Sequence, residues 1–399
     1  MRGPYASFFG LYCALAACGA GRAPSGDDHD GGGGRAGSGT SLGGASGETA
    51  TAASGGGGRA PLPSDADSGT NANEPDAHTD DTLPADAPNE TSPTTPGPPP
   101  VTTPAQPSAP FPLAAVMAAK PALYIKAATH LEGPSWRDGD LFFAGDGAGW
   151  GLMRVDVTGK LFRYQPKLQP IGTYLLGDGS LLVCDHDLVL VQIFKDGSTV
   201  QLATDFQGQA IENCNDVAVD GPGNIYVSAR HSGIIFRISP AGDVVKVASG
   251  INLPNGVEVD PASTFLYFVS GLGNAGRVAR IALSPGSATF GAPEMVGSAG
   301  QPDGLQFDAW GNLWVAAWSS SQIFVFSPDK KVVTTIALPG AINLTFGGPD
   351  DDTVFAESDG RGIYKIGPVP GLRGFLHPGA TKYQVKKTLD LLPANQPVP

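Results

Sequence analysis

The chain has 399 residues, 41% of them apolar, and 38 Asp and Glu against 25 Lys and Arg give a net charge of -13. That balance excludes the basic stripe a nucleic-acid binder needs, and the short apolar run near the start falls below the length of a membrane-spanning helix. Length alone allows two or three domains, but composition shifts sharply near residue 112 and divides the chain into a low-complexity stretch and one globular region.

Residues 1–18 have the make-up of a lipoprotein-type signal peptide. Arg2 supplies the positive end, Phe8 to Ala17 the apolar stretch, and Leu15-Ala16-Ala17-Cys18 resembles the lipobox of bacterial lipoproteins, with Cys18 as the lipidated residue. The alternative is an ordinary signal peptide cleaved nearby. Gly19 after the cysteine points to the outer membrane or cell surface, so the protein is expected to be exported and lipid-anchored in a bacterial cell envelope. Residues 19–112 are Gly, Ser, Ala, Thr, Pro and Asp with hardly an aromatic, too little apolar surface to offset chain entropy, and are expected to be disordered. Twelve acidic and three basic residues lie there. Such a coil spans on the order of 50–60 Å, enough to hold a domain clear of a membrane.

The globular region, 113–399, opens with Leu113 to Lys120, which suits a helical turn or two, and Ala122 to Ala128, which alternates as a strand. A phrase then recurs roughly every forty to fifty residues: a polar head, an alternating strand, a Gly/Pro/Asp turn and an apolar strand. Its copies start at Glu132, Ile171, Asn215, Asn255, Asp303 and Asn343. Period and content are those of propeller blades, so the fold class is all-β, a six-bladed β-propeller. The strand before the first copy should close the ring by pairing with Gly362 to Ile366. Gly271 to Gly276 and Ser284 to Pro293 look like loop insertions, and the tail from Pro368 has no place in the repeat.

The innermost strands of a propeller line its channel, so the head of each copy converges on the axis. Two carboxylates and three amides at those heads form an oxygen-rich ring, which is what a hard cation such as calcium requires. Taken singly, each head is more simply a turn residue bonding its own backbone; five in register point to the ring. Asp220, Asp260 and Asp308 recur later in the unit as turn formers. Cys13 lies in the leader. Cys184 and Cys214 sit near inner strands of neighbouring blades, and two buried thiols is slightly preferred to a disulfide in an oxidising compartment. No zinc spacing exists among the cysteines.

On Glu132-Gly133-Pro134, Asn215-Asp216, Pro254-Asn255-Gly256, Pro302-Asp303-Gly304 and Leu344-Thr345-Phe346-Gly347-Gly348-Pro349-Asp350, residues 120–367 resemble the gluconolactonase and senescence-marker-protein (regucalcin) family, with the diisopropyl fluorophosphatases as relatives. Leu182-Val183-Cys184-Asp185-His186 is similar to a phrase of bacterial gluconolactonases. The resemblance implies a metal held by Glu132, Asn215, Asn255 and Asp303, calcium first, with zinc, manganese or magnesium as alternatives. It implies a hydrolase opening a lactone or similar ester, with Asp303 as general base or nucleophile. Asn213, His186 and Trp318 are the substrate-side candidates; His186 and His231 suit the channel mouth, though a surface or hydrogen-bonded histidine is the plainer reading, while Trp150 and Trp318 suit a pocket wall and core or blade-edge packing equally. Two departures stand out: lactone-binding members often carry Arg where this chain has Asn213, and many carry Asp where it has Ala229. They favour the other class, a non-catalytic propeller with a structural metal that binds sugar, peptide or protein. The expected partners are a small-molecule substrate and, through Cys18, a membrane, with no nucleic acid.

Overall fold

Short apolar runs punctuated by Gly and Asp turns give hairpins rather than helices, and the computed structural model of the protein consists almost wholly of them. It describes residues 105–127, 130–145, 151–271, 276–284, 289–391 and 393–398. The lipobox with Cys18, nearly all of the linker, Trp150 and parts of both proposed loop insertions lie outside the described residues.

One helix, α1 (Leu113–Ala118), precedes β1 (Ala122–Lys126). The first blade holds β2 (Leu131–Arg137), β3 (Asp140–Gly145), β4 (Gly151–Val155) and β5 (Leu161–Gln165). The second holds β6 (Pro170–Leu175), β7 (Leu181–Asp185), β8 (Val189–Ile193) and β9 (Thr199–Ala203). A small hairpin of β10 (Asp205–Phe206) and β11 (Gln209–Ala210) leads to the third, β12 (Cys214–Val219), β13 (Ile225–Ala229), β14 (Ile234–Ile238) and β15 (Val244–Ala248). The fourth is β16 (Pro254–Val259), β17 (Phe265–Ser270), β18 (Arg277–Ala282) and β19 (Glu294–Ser298), and the fifth β20 (Pro302–Phe307), β21 (Leu313–Ala317), β22 (Gln322–Phe326) and β23 (Val332–Ala337). The last contributes β24 (Ala341–Gly347), β25 (Thr353–Ser358) and β26 (Gly362–Ile366), and β1 supplies its outer strand by pairing with β26, Ala122 opposite Lys365. That clasp closes the ring where the sequence placed it. Each inner strand packs on the next, β2 on β6, then β12, β16, β20, β24 and back to β2. The protein is a six-bladed β-propeller.

The core lies between blades. Along β12, Val217 faces the second blade with Cys184 and Leu182, while Ala218 faces the fourth with Val257 and Phe268. Along β13, Ile225 and Tyr226 divide the same way. A strand buried on both faces needs apolar residues at successive positions, which is why Leu-Leu-Val-Cys and Leu-Trp-Val-Ala runs sit in the second strands of their blades. The turns joining first to second strands are built as expected: Asp220, Asp260 and Asp308 each accept from the backbone N–H four residues on, at 2.7, 2.7 and 2.9 Å.

The tail runs across the face opposite the heads. Phe375 N–H donates to Phe307 O at 3.1 Å, His377 N–H to the Tyr174 hydroxyl at 2.8 Å and His377 Nε2–H to Asp260 O at 2.9 Å. Its end adds β27 (Lys387–Leu389) to β9 and β28 (Gln396–Pro397) to β5, each as a fifth strand. The preference for two free thiols is corrected: Cys184 and Cys214 form a disulfide with a Cα separation of 5.3 Å, because the blades bring β7 and the start of β12 together.

Candidate metal and active-site centre

Each inner strand loses register with its neighbour at the head. The slips fall at Glu132/Ser135, Pro170/Thr173, Cys214/Val217, Pro254/Val257, Pro302/Leu305 and Ala341/Asn343. A bulge frees residues from the ladder and re-aims them; it frees Ile171, Asn215, Asn255 and Asp303 themselves, while Glu132 and Asn343 stay paired at its edge, with Ala144 and Glu357. The residue after the head is glycine in four blades because the next strand lies against it. A Cβ on Gly133, Gly172, Gly256 or Gly304 would collide with Ile171, Asp216, Asp303 or Asn343 respectively. In the third blade Asp216 takes that place, and its Oδ2 accepts from Val257 N–H at 2.9 Å, tying β12 to β16.

Asn215, Asn255, Asp303 and Asn343 are all buried, and Glu132 is partly buried. His130 Nε2–H donates to Glu132 Oε1 at 3.0 Å, and its Nδ1–H to Asp359 Oδ1 at 3.1 Å. Burial opposes charge on that ring, but the bonds to Asp359 and Glu132 outweigh it and push His130 up to about 11. Trp318 Nε1–H donates to Asp359 Oδ2 at 3.1 Å. Across the ring, Asp303 is pushed up to about 8, by burial first and the Glu132 charge second, with Arg230 and His130 opposing. Heads of the first and fifth blades therefore share one electrostatic site. Glu357, fully buried on β25, is pushed well above the usual carboxylate range by burial, then by Glu132. Loss of solvation, with Glu132 adding, takes Asp216 up to about 7.

Among the described residues, no three His, Cys, Asp or Glu side chains gather as a ready metal site. The expected set differs in kind, having two carboxylates and drawing its other oxygens from Asn215 and Asn255. Asp303 Oδ1 is buried with no hydrogen-bond partner, as are both Glu357 oxygens. Buried carboxylate oxygens without donors are rare, and a hard divalent cation is the partner such oxygens suit. The donor set fits calcium on those grounds. The ring of five oxygens needs one correction: Asn343 Oδ1 accepts from Leu344 N–H at 2.8 Å, and its Nδ2–H points to Glu132 Oε2 at 3.4 Å, so this head supports Glu132 rather than offering an oxygen.

Of the substrate-side candidates, Asn213 directly precedes β12 with φ +56°, Trp318 is bound to Asp359, and His186 is exposed with Nδ1–H donating to Asp187 Oδ1 at 3.0 Å. Sequence reasoning missed His130, Arg230, Glu357 and Asp359. Glu357 was findable, since it stands opposite Asn343 across β24 and β25; nothing local marked the other three.

A family model described as the SMP-30/gluconolactonase/LRE-like region matches residues 131–359, more than half of the chain, and the protein belongs to that family. It is 27% identical over 230 residues to the pentonolactonase XacC of Haloferax volcanii, covering 52% of this chain and 77% of that protein. It is 26% identical over 222 residues to the diisopropyl-fluorophosphatase of Loligo vulgaris, covering 47% and 67%. A solved gluconolactonase of Xanthomonas campestris shares the fold, with TM-score 0.55 and 21% identity over 62% of this chain and 89% of that one.

Proposed function

We propose that the protein is a calcium-dependent hydrolase that opens a lactone or similar ester at the channel centre. The observation carrying this reading is Asp303: a buried carboxylate with one oxygen unpartnered, in the field of Glu132, on a head that its bulge frees from the ladder. The relatives named for lactonase activity support the substrate class. Glu132, Asn215, Asn255 and Asp303 would hold the cation, whose contribution when bound is to polarise a carbonyl oxygen and stabilise its developing charge. Asp303 takes the proton of the attacking water or attacks the carbonyl itself. His130, fixed between Asp359 and Glu132, orients the Glu132 carboxylate, and the indole of Trp318 holds Asp359 in turn. The heads Asn215, Asn255 and Asp303 are buried, so a charge there acts at greater strength than in solution.

A panel of aldonolactones, aliphatic lactones, aryl esters and fluorophosphates, assayed with calcium and with chelator, tests the reading. Chelator-sensitive turnover of at least one is expected. Turnover of none would leave the binding propeller with a structural metal. Export with lipidation at Cys18 belongs to the same proposal and is supported by the Cys184–Cys214 disulfide, a bond favoured in oxidising compartments. Mass spectrometry of the mature protein should find a lipidated Cys18 that a Cys18→Ala change abolishes; an unmodified N-terminus elsewhere removes the anchor.

A further inference from the structure

The first strand of each blade runs away from the head face and the second returns to it, so the loops after the second strands rim the channel mouth. In the third blade that loop begins with Arg230 and His231, directly after β13. Arg230 N–H donates to Asn213 O at 3.0 Å, which seats residue 230 across the hairpin from 213, two positions before Asn215. In the second blade the equivalent loop begins with His186, whose N–H donates to Gln169 O at 2.9 Å. The disulfide between Cys184 and Cys214 staples these two blades beside the mouth. His231 lies in the field of both other groups: burial first, then Arg230 and His186, hold it low.

Arg230 is partly buried and has no ion-pair partner among the described residues. Its charge nonetheless reaches Asp303, opposing the rise that burial and Glu132 impose there. A guanidinium carries five donors in a fixed planar fork that matches carboxylate and phosphate oxygens in pairs. An acidic centre in a chain of net charge -13 repels an anionic ligand unless the mouth supplies such a group. On the rim, Asp187 is already engaged with His186.

We propose that Arg230, flanked by His231 and His186, is the anion-recognising residue of the channel mouth and selects a substrate bearing its own carboxylate or phosphate beside the bond to be opened. The proposal rests on the hydrolase reading of the centre. Arg230 is a specificity residue and takes no part in bond making.

The test compares D-glucaro-1,4-lactone, which carries a carboxylate, and a 6-phosphorylated gluconolactone with neutral glucono-1,5-lactone, on wild type, Arg230→Ala and Arg230→Lys. Both anionic lactones should be preferred by wild type, or one of them, which identifies the group. Arg230→Ala should lower kcat/KM for the preferred anion at least about tenfold relative to the neutral lactone, chiefly through KM, the loss expected for a charged hydrogen-bonded contact. Arg230→Lys should restore part of it, and added salt should erode the wild-type preference. Calorimetry with D-glucarate reads the same contact without turnover, and its affinity should fall by a similar factor in Arg230→Ala. Neutral lactone turnover with no anion preference and no change in Arg230→Ala overturns the proposal and leaves the hydrolase standing. Glucarate binding that depends on Arg230, with no lactone turned over, retains the anion rim and overturns the hydrolase. Neither binding nor turnover overturns both.

Discussion

Asp303 is the residue on which metal, proton and substrate readings meet. In the cation-free protein its folded pKa of about 8 lies far above the value of a solvated carboxyl, burial being the larger cause and Glu132 the next. Asp216, at about 7, shifts the same way. A folded protein that holds protons its unfolded chain has released loses stability as pH rises. With chelator present, the melting temperature should therefore fall from about pH 4 to pH 8, as Asp303 ionises facing Glu132, Asp216, His130 and Arg230, and should go on falling above pH 8, because His130, held up to about 11, keeps a proton that the unfolded chain has released. On the proposed reading calcium should flatten that fall, because it would bind the ionised carboxylates and stabilise only the folded state. A chelated protein whose stability climbs from pH 5 to pH 8 would contradict the assignment. Asp303→Asn removes a charge that a divalent ion needs and a group that accepts a proton. It should abolish hydrolysis, weaken calcium binding and leave a melting temperature largely indifferent to calcium; turnover surviving in the variant would exclude Asp303 as base or nucleophile.

The inner strand is the element that makes the centre, through a bulge at its head and a glycine just after it. Gly256 has no room for a side chain because the Asp303 carbonyl occupies the space. Gly256→Ala should cost about 1–3 kcal/mol as overpacking and shift the Asp303 backbone, so calcium affinity and stability should drop together; loss of neither would show that the two strands part freely. The disulfide tests the same packing from the rim. It closes a loop over a sequence separation of 30, and the chain-entropy estimate for such a loop is about 3–4 kcal/mol. A Cys184→Ser/Cys214→Ser double variant should melt correspondingly lower, and an unchanged melting temperature in reductant would deny the bond a structural role. These elements were legible to different degrees. Heads at Glu132, Asn215, Asn255 and Asp303 stood out because the repeat put them in register, and the clasp of β1 on β26 followed from ring closure. The disulfide was not, since sequence separation says nothing of a Cα distance set by blade packing. Nor were Arg230 and His130, whose links to Asp303 and Asp359 join residues far apart in the sequence.

At the scale of the whole molecule, the repeat was visible because every blade buries both faces against its neighbours and so spells nearly the same phrase. The tail was not, because it crosses turns of several blades once each and carries no period. Leu176 and Tyr174 of the second blade, Asp260 of the fourth and Phe307 of the fifth all meet residues 374–383. Beyond them, β27 and β28 cover the outer edges of β9 and β5, strands that would otherwise expose unpaired backbone groups. The strap thus lies over the face opposite the heads, and among the described residues it leaves the head face uncrossed. Deleting residues 385–399 removes both edge strands while keeping Phe375, His377 and Tyr383 in place. The truncated protein should melt several degrees lower, since 1 kcal/mol moves the midpoint of a large domain by about 2–4 °C, and it should aggregate sooner on warming as β5 and β9 become open edges. The proposed calcium-dependent turnover should persist at low temperature, because among the described residues the deleted segment bonds to β5, β9 and the turns beside them and not to the centre. Loss of turnover with a native melting temperature would instead make the tail part of the site, and an unchanged melting temperature with no added aggregation would show that the first two blades need no fifth strand.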